Sequence, residues 1–429
     1  MSETKEQGRI KLKSKVYYGW IIVLLTFATL LVSAGIRSLP SVLLVPFEHE
    51  FGWSRGSISS VISVGIFLYG LVGPFSAALL LKFGFRKVIV CSLAVLGLSL
   101  AVTPFIRSLW QFELLWGLVS GLATGMMANV LGVTVSNQWF VKRKGLVVGL
   151  LTASAATGQL LFLPLFAKLT SDFGWRYAVY TAVASIVIVL AAVAVWMRNH
   201  PYDVGAAPYG SSELVKPAPF TGIFSRAAAK FTVGHGERDV LAACRHVLFC
   251  GLSTNGLIGT HLIAACGDHG ILEVAAAGLL AMMGVFDLFG TTISGWLSDR
   301  FDSRKLLFCY YGLRGLSLLF LPFALNSASP YMLVVFSVFY GLDWIATVPP
   351  TVKLAGEAFG KEKSGMIFGW VVVAHQLGAS AAAFGAGALR DWLGSYSQAF
   401  VIAGFLCFVA SVMAVQIRKS KRGGARAAV

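Results

Sequence analysis

The chain has 429 residues, of which 57% are hydrophobic and 13% are charged, and its formal net charge is +16. Soluble domains carry about a quarter charged residues, so this composition excludes a soluble globular protein. The positive charge is divided among many short loops, which argues against a nucleic-acid groove and indicates contact with anionic lipids.

Twelve apolar segments follow one another along the chain, and each is long enough to cross a membrane as a helix of roughly 20 residues. We predict an all-α integral membrane protein whose spans are 17–40, 57–81, 88–106, 110–137, 144–168, 176–197, 241–264, 274–297, 305–325, 330–352, 365–388 and 397–417. Two six-helix bundles, 17–197 and 241–417, are joined by a polar cytoplasmic linker at 198–240 that is rich in Pro, Gly and Ser. A basic cytoplasmic arm at 1–16 and a basic tail at 418–429 flank the bundles.

The distribution of Lys and Arg predicts the orientation of the chain. Most of the 35 Lys and Arg residues lie in the two terminal segments and in the gaps after spans 2, 4, 6, 8 and 10. Cytoplasmic loops collect these residues, so both termini are expected to face the cytoplasm of an inner or plasma membrane.

The sequence lacks the motifs of catalysis and of cofactor binding. Its six cysteines form no CxxC pair, and no HExxH, P-loop or nucleophile elbow is present. We therefore predict a protein that is not an enzyme and needs no metal or cofactor. No feature points to an obligate protein partner.

Span 4 carries Gly117, Gly121 and Gly125 at intervals of four residues. Such a stripe places hydrogen atoms along one helix face and permits close approach of another helix. We expect it to serve tight packing within the bundle rather than a specific dimer contact.

The end of span 8 and the gap after it read Gly295-Trp-Leu-Ser-Asp299-Arg300-Phe-Asp-Ser-Arg304-Lys305. This stretch resembles the cytoplasmic signature of the major facilitator superfamily, which lies between the second and third helices of a half. The resemblance implies a twelve-helix fold with a substrate site between two bundles, lined by spans 1, 4, 5, 7, 8, 10 and 11. It also implies that this carboxylate and these basic residues form a cytoplasmic gate that holds neighbouring helices together. In the first half Leu81 stands where the acid would be.

A second stretch, Trp139-Phe140-Val-Lys142-Arg143-Lys144-Gly-Leu-Val-Val-Gly149, is similar to a segment of the monocarboxylate transporter and oxalate/formate antiporter branch. Gly19-Trp20 and Phe286-Asp287 also resemble signatures of that branch. Thr291 stands where many of its members carry a carboxylate-binding arginine. We assign Lys142 and Arg143 to the predicted cytoplasmic gate as well.

Polar and ionisable side chains inside spans are costly, so each is a candidate for function. Arg37 in span 1 either binds a substrate carboxylate through two hydrogen bonds or extends to the outer lipid headgroups. His375 in span 11 and His261 in span 7 can change charge near neutral pH, or they can be hydrogen-bonded packing residues. Asn255 is polar enough to line a path through span 7. We predict that Arg37, Asn255, His261 and His375 bind the substrate.

Three further charges lie inside spans of the second half. Asp287 and Arg314 are expected at similar depth, where they can form a buried ion pair, and Asp287 can also take up a proton. Asp343 has no obvious partner in the sequence. We predict that Asp287, Arg314 and Asp343 couple transport to a proton gradient or support the fold as ion pairs.

These features predict a secondary transporter that works by alternating access. The expected cargo is a small organic anion, a mono- or dicarboxylate, moved by proton symport or by anion exchange. An alternative is a proton-driven exporter of amphiphilic compounds with an apolar cavity. A third is a membrane sensor without transport activity, which the short basic termini disfavour.

Overall fold

The computed structural model describes residues 17–211, 213–214, 245–327, 329–359 and 361–417. The predicted basic arm and tail lie outside the described residues. So does the linker from 215 onward, together with the first four residues of predicted span 7.

Twelve helices in the described part of the chain are long and apolar enough to cross a membrane. They are α1 (Gly19–Phe51), α2 (Arg55–Phe83), α3 (Phe85–Val102), α4 (Leu109–Trp139), α5 (Lys144–Phe173), α6 (Trp175–Trp196), α7 (Arg245–Asp268), α8 (Glu273–Arg300), α9 (Ser303–Asn326), α10 (Pro330–Asp343 and Val348–Phe359), α11 (Lys361–Leu393) and α12 (Ser397–Val415). Each predicted span corresponds to one of these helices.

Helix α1 is longer than predicted, because it continues through Pro40 and Pro46 to Phe51. Its 33 residues correspond to about 50 Å at 1.5 Å per residue, so its last turns extend beyond a hydrocarbon core of about 30 Å. We call the side where α1 begins and α12 ends the terminal side, and the side where α1 ends the far side.

The first half of the fold is α1–α6 and the second half is α7–α12. Between the halves, α2 packs along α11, α5 packs along α8, and α1 meets α7. Within the first half the glycine stripe of α4 lies against α2, as predicted for a packing surface. A Cβ atom added at Gly121 would lie 2.9 Å from the Gly65 carbonyl oxygen, so only glycine permits this approach.

Helices α4 and α10 occupy the same position in the two halves, and both are irregular. Helix α4 contains a π-helical stretch, Glu113–Ser120, and is interrupted at residues 127–128. Helix α10 is interrupted at residues 344–347. Helix α7 also has a π-helical stretch, Leu252–Ile258. Such irregular backbone inside a membrane requires other groups to satisfy its polar atoms.

The start of the linker is fixed to the terminal side of the first half. The Tyr17 hydroxyl lies within hydrogen-bonding distance of two carbonyl oxygens, those of Trp139 (3.1 Å) and Ala207 (3.0 Å), and its single proton is shared between them. The backbone N–H of Tyr209 donates to the Trp139 carbonyl at 2.8 Å. The described part of the linker therefore packs on the first half.

Candidate substrate site

A cavity of about 110 Å³ lies between the two halves. Its walls come from α1, α2, α4 and α5 of the first half and from α7 and α11 of the second. Its principal hydrogen-bonding side chains are Arg37, Tyr69, Gln159, Asn255, Thr260 and Gln376. Among the described residues α8 and α10 contribute nothing to this lining, which corrects the expectation drawn from the resemblance. Those two helices pack on each other instead.

Arg37 lies at this cavity, three residues before Pro40, with an exposed side chain. Its guanidinium carbon is 4.5 Å from the centre of the Tyr69 ring. A cation over an aromatic face is stabilised by the ring quadrupole without being neutralised. None of the ion pairs in the described part of the chain includes Arg37. The described cavity lining contains no Asp or Glu. The cavity therefore carries one positive charge for which the described residues provide no counter-charge.

Asn255 projects from the π-helical stretch of α7 and lines the opposite wall. Its Nδ2 atom is 3.5 Å from Nε2 of His375 on α11. His375 is half-buried behind Asn255 and is not among the residues that form the cavity wall. Its neighbour Gln376 reaches the wall instead.

His261 does not lie at the cavity, which corrects its predicted role in substrate binding. The ring is fully buried, with Nε2 2.8 Å from the Ala383 carbonyl oxygen and Nδ1 3.3 Å from the Tyr396 hydroxyl. Thr260 faces the cavity, and the next residue on a helix is rotated by about 100°. His261 therefore packs towards α11 and the start of α12.

The predicted ion pair between Asp287 and Arg314 is not present; Arg314 pairs with Asp343 instead. Its Nε atom is 2.6 Å from Asp343 Oδ2, and its Nη2 atom donates to the carbonyl oxygens of Asp343 (2.5 Å) and Trp344 (3.2 Å). These carbonyls lie at the end of the first segment of α10, where a helix leaves its last carbonyls unpaired. Arg314 thus balances the charge of Asp343, and it also donates hydrogen bonds to the backbone carbonyl oxygens that the interruption of α10 leaves unpaired.

Asp287 on α8 also hydrogen-bonds to the backbone at the interruption of α10. Its Oδ1 atom accepts hydrogen bonds from the Ile345 backbone N–H and from the Thr291 hydroxyl, both at 2.9 Å. Thr291 therefore orients the carboxylate and is not among the residues that line the cavity. The interruption of α10 is held from one side by an arginine and from the other by an aspartate.

The residues of the predicted cytoplasmic gate lie at the terminal side, where α8 is followed by α9. Asp299, which follows Gly295 by one helical turn, forms no ion pair within the described chain, contrary to the role implied for it. Asp302 binds the guanidinium of Arg304, but this pair lies within the first turn of α9 and does not join two helices. Arg304 also donates to the Ile417 carbonyl oxygen at 3.2 Å, which ties α9 to the end of α12.

The other basic residues of this gate make different contacts. Arg300 stacks on Trp296 at 3.8 Å, and Lys305 is exposed. Arg86 makes the corresponding hydrogen bond in the first half, where its guanidinium donates to the Ala194 carbonyl oxygen near the end of α6. In both halves an arginine after the second helix therefore binds the third helix to the sixth.

Lys142 and Arg143 lie in the loop between α4 and α5 and contact the linker. The Lys142 backbone N–H donates to the Tyr209 carbonyl oxygen at 3.0 Å. Arg143 has φ of 63°, a conformation that is uncommon for a residue other than glycine, and its guanidinium is 5.9 Å from the Tyr209 ring. The described contacts of both residues thus stay within the first half and the start of the linker.

A set of ion pairs that no sequence pattern predicted joins the halves on the far side. Arg55 at the start of α2 binds Glu48 of α1 (2.7 Å) and Asp268 of α7 (2.9 Å). Arg390 of α11 binds the same Asp268 at 2.7 Å, and Asp391 accepts a hydrogen bond from the backbone of α2. We call Glu48, Arg55, Asp268 and Arg390 the far-side latch. In the described chain no ion pair joins the halves on the terminal side.

The far-side latch left a weak signal in the sequence. Each of its acids lies at a helix end on one side of the membrane, and two of the few arginines on that side, Arg55 and Arg390, lie at helix ends as well. Arg390 and Asp268 are 122 positions apart and Arg55 and Asp268 are still farther apart, so their pairing could not be read from spacing.

Comparisons with known proteins cover both halves of this fold. Residues 25–264 and 247–428 match the model of the Major Facilitator Superfamily. The uncharacterized MFS-type transporter YcxA of Bacillus subtilis is 25% identical over 387 residues, which cover 88% of this chain and 90% of that protein. Monocarboxylate transporter 13 of Rattus norvegicus is 27% identical over 390 residues, covering 90% of this chain and 86% of that protein. Monocarboxylate transporter 12 of Xenopus laevis is 22% identical over 416 residues, covering 92% and 88%.

Proposed function

Because this chain belongs to the major facilitator superfamily, we propose that it carries a small organic anion with a single carboxylate across a membrane. The observation that supports the proposal most directly is the uncompensated charge of Arg37 in the cavity between the halves. A guanidinium can bind a carboxylate through two parallel hydrogen bonds, and its contact with Tyr69 leaves its charge available.

The charge of the cavity favours a monoanion over a dianion. Its described lining contains one cation, no carboxylate and several neutral hydrogen-bonding groups. A second carboxylate of the substrate would lie in a low-dielectric site without a counter-charge, which is strongly unfavourable. The neutral amides of Asn255 and Gln376 can hydrogen-bond to a hydroxyl or keto oxygen on the same small acid.

The size of the cavity agrees with a small cargo. A volume of about 110 Å³ has room for several water molecules, and therefore for a small organic acid. The relatives named monocarboxylate transporters 12 and 13 support the same substrate class.

Proton symport or anion exchange would drive this movement. In the proposed symport, Asp343 takes up the proton. Its Oδ1 atom is buried and makes no hydrogen bond within the described chain, whereas the Oδ1 atom of Asp287 already accepts two. The far-side latch provides the asymmetry that alternating access needs, since it joins the halves on one side of the cavity.

The test uses purified protein in liposomes and four acids with equal numbers of carbon atoms: propionate, lactate, pyruvate and malonate. We expect exchange of at least one monocarboxylate and much slower exchange of malonate, the dicarboxylate. Transport of malonate at the rate of the monocarboxylates would contradict the assignment to monoanions. Absence of all transport, combined with proton-driven export of amphiphilic dyes, would favour the exporter.

A further inference from the structure

His261 has no role in the cavity, yet it is a fully buried polar residue of α7. It belongs to none of the ion pairs in the described chain. A buried imidazolium without a counter-charge is costly, so the ring is neutral. Its Nε2 atom is 2.8 Å from the Ala383 carbonyl oxygen, which can only accept a hydrogen bond. The ring proton is therefore on Nε2, and Nδ1 carries a lone pair that accepts a hydrogen bond.

Tyr396, which lies between α11 and α12, is the donor to this lone pair. Its hydroxyl oxygen is 3.3 Å from Nδ1 of His261, and the centres of the two rings are 5.1 Å apart. A tyrosine hydroxyl has a single proton, and here that proton is directed at the imidazole. The lone pairs of the hydroxyl oxygen are left to accept a hydrogen bond from another donor.

That donor is Arg55 of the far-side latch. Its Nη1 atom is 3.5 Å from the Tyr396 hydroxyl oxygen, and its guanidinium carbon is 5.7 Å from the centre of the Tyr396 ring. Arg55 begins α2, whereas Tyr396 and His261 belong to the second half. The hydrogen bonds therefore run from a buried residue of the second half to the first half of the fold.

The direction of the Tyr396 hydroxyl matters for the latch because the guanidinium of Arg55 is planar and its nitrogens point in fixed directions. Nε binds Glu48 and Nη2 binds Asp268, so a rotation that displaces Nη1 also displaces both ion pairs. Arg55 is only 5% exposed, so water has little access to replace a lost partner. If the proton of Tyr396 turned towards Nη1, two donors would face each other.

We propose that His261 is a positioning residue of the far-side latch. It holds the hydroxyl proton of Tyr396, so that the hydroxyl oxygen faces Arg55 and keeps the guanidinium directed at its two carboxylate partners. The proposal rests on the proposed function only in its consequence, which is closure of the cavity on one side during alternating access.

The test measures the rate at which a membrane-impermeant thiol reagent modifies Ser38→Cys, a cysteine introduced in the cavity wall on α1. Sealed vesicles of one orientation present the far side to the reagent, and vesicles of the other orientation present the terminal side. The protein without the introduced cysteine gives the background from the native thiols. The reporter lies in the first half, so substitutions on α7 do not alter its immediate neighbours along the chain.

Tyr396→Phe removes only the hydroxyl group and keeps the ring. His261→Leu removes both ring nitrogens, whereas His261→Asn keeps an acceptor oxygen near the position of Nδ1. Tyr340→Phe is the matched control, because it removes another buried hydroxyl of the second half. That hydroxyl donates to the Ser253 carbonyl oxygen at 2.7 Å, and none of the described contacts of Tyr340 reaches the latch.

We expect Tyr396→Phe and His261→Leu to raise the far-side labelling rate about fivefold, the equivalent of one net hydrogen bond. The rate from the terminal side should not rise. The double variant should match each single variant, because both substitutions interrupt the same hydrogen bonds. His261→Asn and Tyr340→Phe should label at nearly the rate of the reporter protein alone.

An unchanged far-side rate in Tyr396→Phe would overturn the proposal. Equal acceleration by His261→Asn and His261→Leu would also overturn it, since the ring would then serve packing alone. Acceleration from both sides, or by Tyr340→Phe as well, would show general loosening instead of release of the latch. The labelling requires no substrate, so absence of monocarboxylate exchange would refute the proposed function and leave this result unaffected.

Discussion

Arg37 and Asn255 lie on opposite walls of one cavity, the first on α1 and the second on α7. Each belongs to a different half of the fold. A small acid whose carboxylate binds Arg37 and whose other polar group binds Asn255 therefore contacts both halves at once. Movement of one half relative to the other would then act directly on the bound substrate.

The far-side latch should control the opening of the cavity on that side. Asp268→Asn weakens the acceptor that Arg55 and Arg390 share. We expect a cysteine introduced by Thr260→Cys in the cavity wall to react about tenfold faster with a membrane-impermeant thiol reagent from the far side, which corresponds to about 1.4 kcal/mol.

The matched control for the latch is Arg176→Gln. It removes another ion pair of the far side, between Arg176 and Glu50, which lies entirely within the first half. The labelling rate should stay at the wild-type value in this background. Equal acceleration by both variants would show that general loosening, rather than the latch, exposes the cavity.

Arg314 should be required for the stability of the second half. Arg314→Leu leaves the Asp343 carboxylate buried without a counter-charge, which typically costs about 3–5 kcal/mol. We expect a large drop in the thermal unfolding temperature in detergent. The double variant with Asp343→Leu should recover part of this loss, because it buries no unpaired charge. Additive effects of the two substitutions in a double-mutant cycle would contradict a direct pairing.

The glycine stripe of α4 should tolerate no side chain. Gly121→Val places atoms against the backbone of α2 at Gly65, and such overpacking costs about 1–3 kcal/mol. Gly149→Ala on α5 is the control, because its added methyl group would meet no atom within 4 Å. Thermal unfolding should show a lower midpoint for the first variant only. Equal midpoints would mean that α4 can move away from α2 without cost.

Much of the architecture could be predicted from the sequence because it depends on local properties. Hydrophobic length determines the twelve spans, and the spacing of Gly117, Gly121 and Gly125 indicates a packing face whatever the partner helix. Helix α1 extends beyond the predicted span 17–40, because it continues through Pro40 and Pro46 to Phe51.

The partners of the buried charges could not be predicted, because counting residues along a helix gives depth but not rotation. Asp287 and Arg314 were placed at similar depth, yet Arg314 turns towards α10, whose interruption offers both a carboxylate and free carbonyls. His261 was predicted to bind substrate because an imidazole can change charge near neutral pH, but the rotation of its helix turns it away from the cavity. The far-side latch depends on contacts between the halves, which no local pattern encodes.

The central claim is that Arg37 binds the carboxylate of the cargo, and the most direct measurement is monocarboxylate exchange by liposomes that contain Arg37→Gln. Hydrogen bonds to charged groups contribute about 1.5–3 kcal/mol, so exchange at low substrate concentration should fall at least about tenfold. Arg37→Lys, which keeps the charge, should retain part of it. The exposed Arg107 lies outside the cavity, so Arg107→Gln should behave as the wild type. Wild-type exchange by Arg37→Gln would contradict the account.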